Sequence, residues 1–539
     1  MRTNLTTRRW TLVPLILALV AGLFALPAGA AEKQLRIGMW SAPSSFSPIS
    51  NPSGYGDAAI HLIYDALVDH SDTFEYVPGL ARAWSVHDGN TRFVFELHPD
   101  ARWHDGEPVT ADDVVFTYWI NAHPETVSVN GQALNVIQGT GSDGKLLPGE
   151  PFGVEKIDDY TVAIRTKFPM PEDVFLTRVA SRVHIVPKHV LEPVPPAELH
   201  RHESAMRPTV GSGPFRFVQY RTDQYVELVK HEAYHKGTPK IDRVFLVIQP
   251  GATMTAALEQ GVIDITAGGG IGEVPITDWN RIQASPHLQP VPYTPMVYQV
   301  LLINHAVPGF DDPRVRRALA LAIDRQRIAD RLLQGLAELH PTPLNSNNPY
   351  FDPELVETVR HDPEQARRLL VEAGFDFSRT VTILTPTGNV ARERSATLIQ
   401  ADLAAVGIRA QIELADFTTA FARMREGDYE LGLLGMRTSF DPDLSSDVGS
   451  GGETNYTGYA NPEMDALLAR AAASLDPEER MSLYREVQRL YVAEMPAIIL
   501  NTPKALTVVN KRVINARPGA NGPPPAGLFW NPEQWDVVE

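Results

Sequence analysis

His231-Glu232-Ala233-Tyr234-His235 fits the H-E-x-x-H zinc-hydrolase pattern letter by letter. That chemistry needs a helix, where i, i+4 spacing aims two imidazoles at one metal and sets the glutamate beside its water. Here the motif follows the alternating strand pattern Tyr225 to Lys230 and runs straight into Lys236-Gly237-Thr238-Pro239, a turn. The context predicts surface histidines between strand and turn, and no metal site. His98 and His104 flank a turn, His200 and His202 straddle Arg201, and neither pair has a third ligand nearby. All four are expected as solvated loop histidines. Ser212 in Gly211-Ser212-Gly213 is not the G-x-S-x-G elbow. Gly268-Gly269-Gly270-Ile271-Gly272 lacks both the G-x-G-x-x-G spacing and a helix opening at its glycines, and reads as a loop of close backbone approach. No nucleophile, base and orienting group assemble locally, so no catalytic residue is predicted; a triad dispersed along the chain keeps a hydrolase as the distant alternative.

Short β-branched and aromatic runs predict strands at Leu35 to Trp40, Arg92 to Leu97, Tyr160 to Thr166, Phe215 to Tyr220, Val244 to Ile248 and Val297 to Ile303. Helices lie between them. Asp312-Pro313, Asp362-Pro363 and Asp476-Pro477 each set an N-cap acceptor before a proline whose missing N–H costs nothing at N1. Gly374 and Gly407 stand where a terminating glycine belongs, and Thr110 with Asp113 forms a capping box for a helix through Val114, Val115 and Tyr118. The pattern is α/β, or mixed α+β.

With 539 residues the chain exceeds what one core organises, so two or three domains are expected. Residues 1–30 carry Arg2, Arg8 and Arg9, no acid, an apolar run from Leu12 to Leu26 and the small residues Ala28-Gly29-Ala30. That is an export signal with cleavage expected near Ala30, by the general or the twin-arginine route. Losing its three positive charges would take the net charge from −17 to −20, which argues against nucleic acid as a partner. The absence of cysteine excludes disulfides, thiol catalysis and a lipid-bearing cysteine, so the expectation is a freely diffusing periplasmic protein and not a lipoprotein.

Pro78-Gly79-Leu80-Ala81, Trp84, the strand Phe93 to Leu97 and Trp103-His104-Asp105-Gly106-Glu107-Pro108-Val109-Thr110-Ala111-Asp112-Asp113-Val114 resemble the signature of the family 5 solute-binding proteins of ABC importers, which bind dipeptides and oligopeptides. Gly211 to Phe215, Tyr234 through Asp242, Asp312 to Leu319, Asp362 to Arg367 and Asn461 to Asp465 are similar to further motifs of that family, in order along the chain. The resemblance implies a periplasmic-binding-protein-like fold with three domains in two lobes that close around a ligand. Domain I would comprise residues 31–74, 207–293 and 501–539, domain II residues 75–206 and domain III residues 294–500. It implies no catalysis and no cofactor. The partners would be a short peptide or other small molecule and the permease and ATPase of an importer, with the binding protein itself a monomer.

By the same resemblance, ligand contacts are expected from Ser53, Gly54 and Tyr55 after the first strand, and from Asn389, Phe417, Met436, Arg437, Ser439 and Asp441 in domain III. One departure bears on specificity. Peptide binders of the family often place an aromatic residue after the glycine equivalent to Gly435, and an aspartate three residues further on that pairs with the peptide's amino group. Here Met436 and Ser439 occupy those places, and Arg437 suits a carboxylate or phosphate. The alternative to a plain peptide is an anionic ligand such as an opine-like conjugate, an acidic metabolite or a metal chelate. Asp441 could take the amine role through a shifted loop.

Overall fold

Three sheets carry the architecture of the computed structural model, which describes residues 32–51, 53–71, 75–438, 440–519 and 526–538. The export signal expected at 1–30 and Ser439 lie outside them. The first sheet has seven strands in the order Leu288–Tyr293, Ala505–Asn510, Ile265–Thr266, Gln34–Met39, Arg243–Ile248, Tyr225–Lys230, Phe215–Arg221. It therefore recruits three separate stretches of chain. Gln34–Met39 lies at its middle, parallel to both neighbours, and the alternate residues Leu35, Ile37 and Met39 are buried against Ala58, Ala59, Leu62 and Ile63 of the helix Gly54–Ile63. Asp264, buried on this sheet, ties the three stretches together: its carboxylate accepts from Arg36 Nε at 3.0 Å and from Arg512 Nε at 3.0 Å. Two guanidiniums offset the cost of desolvating one carboxylate.

The second sheet is antiparallel, in the order Ala81–His87, Arg92–Leu97, Thr161–Arg165, Val154–Asp158. The hairpin between its first two strands turns through Asp88, Gly89 and Asn90, all at positive φ. Phe93 and Phe95 point inward onto Phe175, with the Phe93 and Phe175 rings stacked 3.7 Å apart. The helix Ala111–Ala122 starts as expected, with Thr110 N donating to Asp113 Oδ2 at 2.9 Å.

The third sheet has six strands in the order Ala337–Glu338, Ala497–Pro503, Val297–Ile303, Leu431–Arg437, Thr380–Pro386, Arg409–Ala415. Both faces of its central strands are covered, so those strands are mostly apolar: Leu301 and Ile303 pack into one core cluster, Val300 and Leu302 into another. Helices Pro313–Ala322, Pro363–Glu372 and Pro477–Glu494 begin at the three Asp-Pro pairs, each aspartate accepting a first-turn N–H. Gly374 and Gly407 stop their helices at φ +70° and +96°. Among the described residues no helix is long and apolar enough to cross a membrane.

Two segments join the first and third sheets. Leu288–Tyr293 pairs with Ala505–Asn510 in one sheet, and Val297–Ile303 pairs with Ala497–Pro503 in the other, so a two-stranded ribbon passes through residues 294–296 and 504. Glu338 gathers the crossing: it accepts from Thr294 Oγ1 at 2.8 Å and Ser346 Oγ at 2.7 Å, and lies 4.0 Å from Lys504 Nζ.

The histidine expectation is corrected. None of His98, His104, His200, His202, His231 and His235 is exposed. Three imidazole pairs instead cross the seam between the first and second sheets: His61 with His184 at 4.6 Å, His98 with His235 at 4.9 Å, and His104 with His231 at 4.9 Å between ring centroids. His104 takes an N–H from Gly211 and bonds the carbonyl of Gly213, and burial pulls its pKa down to about 3. The H-E-x-x-H segment is not helical. His231 Nδ1 meets Gly213 O at 3.2 Å, while His235 Nε2 meets Gly79 O at 3.0 Å, so the two rings serve different carbonyls. Their partners lie more than 100 residues away, except for His231 on Gly213, beyond the reach of any local pattern.

Candidate ligand-binding site

In the third sheet Thr380–Pro386, Arg409–Ala415 and Leu431–Arg437 run parallel and end on one edge. Arg437 is registered against Val297, so this edge is the one beside the hinge ribbon. Ligands of open α/β sheets sit outside the carboxyl ends of parallel strands. Helix Val390–Ala405 starts here under an Asn389 cap, whose side chain accepts from Arg392 N at 3.0 Å, and helix Phe417–Glu426 starts here too. Phe417 is 52% exposed and stacks on Phe421 with ring centroids 5.7 Å apart. Met436 is half-buried against the core beneath, and Arg437 is exposed at the strand end. Asn389, Phe417, Met436 and Arg437, four of the residues singled out in the sequence, thus share one edge of the third sheet.

The first sheet presents an equivalent edge, where Gln34–Met39, Arg243–Ile248 and Ile265–Thr266 end. Trp40 closes it, donating its backbone N–H to Ile271 O at 2.7 Å and its indole N–H to Glu273 O at 3.0 Å. The glycine loop makes the close approach its composition suggested: Gly268, Gly269 and Gly270 all have positive φ, and a Cβ on Gly272 would stand 2.3 Å from Gly38 O. Ser53 caps helix Gly54–Ile63, a Cβ on Gly54 would lie 3.3 Å from Ile271, and Tyr55 is partly buried in the core beside it. The Glu273 carboxylate accepts Gly270 N at 2.9 Å, and burial pushes its pKa up. Burial followed by the charge of Glu273 raises Tyr55 as well.

Away from the hinge the lobes touch directly. Arg480, 2% exposed on helix Pro477–Glu494, reaches Asp173 of the second-sheet block at 2.9 Å and Asp441 at 3.3 Å, and donates to Tyr350 Oη at 2.8 Å. Its guanidinium lies over the rings of Tyr350 and Tyr484, 5.1 and 5.2 Å from their centroids. Tyr350 also donates to Asp173 Oδ2 at 2.9 Å. A cavity of about 240 Å³ adjoins this junction, lined by His70, Tyr76, Thr177, Phe440, Asp441 and Met481 among others. Burial and Asp443 raise the pKa of Asp441. An amine approaching it would compete with a guanidinium already in place.

Sequence reasoning missed Glu273, Arg392, Asp173 and Arg480. Only Arg392 carried a local signal, as a cation in the first turn of a helix, where the backbone dipole disfavours it.

Paired strand edges facing one another across a two-segment hinge define a two-lobed binding protein. The same fold occurs in the ABC transporter substrate binding protein CtaP of Listeria monocytogenes, with a TM-score of 0.82 and 25% identity over 94% of this chain and 100% of that one. Residues 75–456 match the bacterial extracellular solute-binding proteins, family 5 middle, and the chain belongs to that family. Relatives include the oligopeptide-binding protein AppA of Bacillus subtilis, 26% identical over 87% of this chain and 86% of its own length. Heme-binding protein A of Haemophilus influenzae is 29% identical over 85% of each chain.

Proposed function

We propose that the protein is the periplasmic capture component of an ABC importer, closing its lobes on a peptide or peptide-like molecule and handing it to a membrane permease coupled to an ATPase. The observation that carries this is the pair of strand edges opposed across the hinge ribbon, one bearing Tyr55 and Glu273 and the other Arg437. A ligand touching both walls stabilises the closed form by its differential contacts. The protein acts as a monomer after loss of its signal near Ala30, and performs no catalysis. AppA is named for oligopeptides and the Haemophilus relative for heme, so identity in this range does not by itself select the cargo.

A second reading is favoured by Met436 and Ser439, which stand where peptide binders often carry an aromatic residue and the aspartate that pairs with the peptide's amine, and by Arg437 between them. It is a ligand presenting an anionic or blocked group to the domain III wall. Mass spectrometry of small molecules released from the gently denatured, natively purified protein tests both. Peptides or carboxylated conjugates are expected; turnover of peptide or ester substrates would overturn the transport reading. Tight calorimetric binding of unmodified dipeptides that Arg437→Ala leaves intact would overturn the anionic one.

A further inference from the structure

On the domain III wall the exposed Arg437 is not the only cation. Arg392 lies on the same edge, in the first turn of helix Val390–Ala405, and is half-buried. Its Nε donates to Gln299 Oε1 at 3.1 Å. Its Nη2 passes over Gly435: a Cβ there would come within 2.9 Å of it, and within 3.1 Å of Gln299 Nε2. Gln299 and Gly435 are direct partners on adjacent strands, so the two flank the guanidinium from one face of the sheet. Among the described residues no carboxylate lies within ion-pair distance of Arg392, although neighbouring arginines such as Arg379, Arg423 and Arg480 all have one. Burial pulls its pKa down with no acid to offset it.

Position and burial both work against this charge. A cation at a helix N-terminus opposes the backbone dipole, and partial burial strips water from it without supplying a counter-charge. The half-buried Arg317 and the buried Arg325 also lack an acid among the described residues but give their Nη donors to backbone carbonyls, whereas the hydrogen bond of Arg392 is made by Nε to Gln299, which makes its Nη donors candidates for recognising a ligand. On the same face Asn501, registered opposite Gln299 and 2% exposed, has an amide oxygen without a hydrogen-bond partner. Free donors on Arg392 and a free acceptor on Asn501 complement a carboxylate next to an amide N–H.

We infer that Arg392, held by Gln299 over Gly435, is the specificity-determining cation of the cleft and receives a carboxylate of the ligand. The inference rests on the peptide or peptide-like reading above and names the group that reading leaves open. Arg392 is better suited than Arg437 because it is already immobilised and partly desolvated, so less ordering and less water removal oppose the contact. A Cβ at Gly435 would push the guanidinium and the Gln299 amide aside, so glycine here leaves the pair in place.

The test uses the full mature protein, freed of bound ligand by unfolding and refolding, and four probes: a casein hydrolysate, the same hydrolysate with its carboxyl groups amidated, a mixture of aliphatic dicarboxylates, and their diamides. Retention after desalting is read by mass spectrometry, and the affinity of a retained compound by calorimetry. The wild type should retain untreated peptides and not amidated ones, and Arg392→Gln should weaken binding about 10- to 100-fold, as loss of a charge-assisted hydrogen-bond pair does. Gly435→Ala should weaken it similarly while keeping the charge, and unchanged thermal midpoints exclude misfolding. Equal retention of untreated and amidated peptides, or unchanged affinity in Arg392→Gln, overturns the role of Arg392 and leaves the peptide reading standing. Retention of dicarboxylates alone, dependent on Arg392, overturns the peptide reading and supports Arg392. Retention of nothing overturns both.

Discussion

Replacing Asp173 with asparagine should open the molecule. Among the described residues, Asp173 is the one carboxylate of the second-sheet block that reaches Arg480 across the lobes, 2.9 Å from its Nη1, and it also accepts from Tyr350. The substitution removes the charge, keeps the side-chain shape and leaves Arg480 its contacts with Asp441 and the two tyrosine rings. Asp173 itself is 42% exposed, so the pair is partly screened. Exposed pairs contribute about 0.2–1 kcal/mol. Breaking a fully buried pair costs about 3–5 kcal/mol. An intermediate value of about 1.5 kcal/mol corresponds to roughly a tenfold shift from closed to open, with ligand affinity falling by up to the same factor. The chain has no cysteine, so Glu150→Cys and Glu372→Cys, exposed positions on opposite lobes, accept unique dyes. Single-molecule energy transfer then reports the lobe separation with and without ligand. An Asp173→Asn distance distribution identical to that of the unsubstituted pair, together with an unchanged dissociation constant, would refute the bridge as a determinant of closure.

Acid should destabilise the seam between the first two sheets. His98, His104, His184, His231 and His235 are all held below their ordinary pKa, chiefly by burial, His104 at about 3 and His235 at about 4. They stay neutral in the fold while the unfolded chain takes up protons below pH ~6.5, so stability falls as the pH drops towards 4, by up to about 1.4 kcal/mol per unit for each fully buried ring. Asp65, raised to about 6 by burial, works in the opposite direction and recovers part of this. Urea unfolding across that range should show the loss, and His104→Gln should flatten it; a flat wild-type profile would contradict the assignment. Asp264→Ala leaves Arg36 and Arg512, each 34% exposed, unmatched on the first sheet and should cost about 2–3 kcal/mol in unfolding free energy, between the exposed and the fully buried cases. A loss below about 1 kcal/mol would mean that the three chain stretches do not depend on that clamp.

Much of the fold could be read from local chemistry. Asp312-Pro313, Asp362-Pro363 and Asp476-Pro477 mark helix starts because a cap and its proline act within one turn, and the strand Arg92–Leu97 was predicted to the residue. The strand Ile265–Thr266 is only two residues long, since the residues before it turn out of the helix Gly251–Glu259. The histidines defeated local reading because imidazoles buried against distant rings look in sequence like solvated ones. At the candidate site, Phe417, Met436 and Arg437 were expected from the family resemblance, and they lie on the edge where the parallel strands end. Glu273 and Arg480 were not, because acids and arginines are common and only the fold decides which become desolvated. Asp441 stood out as a ligand acceptor but faces a protein guanidinium whose helix starts 36 residues downstream.

The ribbon through residues 294–296 and 504 also has a mechanical meaning. The ladders that flank the crossing, ending at Tyr293 with Ala505 on one side and at Gln299 with Asn501 on the other, resist sliding, because a slip breaks them and turns each side chain to the opposite face. They resist bending across their thin dimension far less. The lobes are thereby left one soft coordinate, the aperture, while lateral offset stays fixed. A jaw of this kind can stop at different widths on cargoes of different bulk and still bring Glu273 and Arg392 to the same lateral alignment each time.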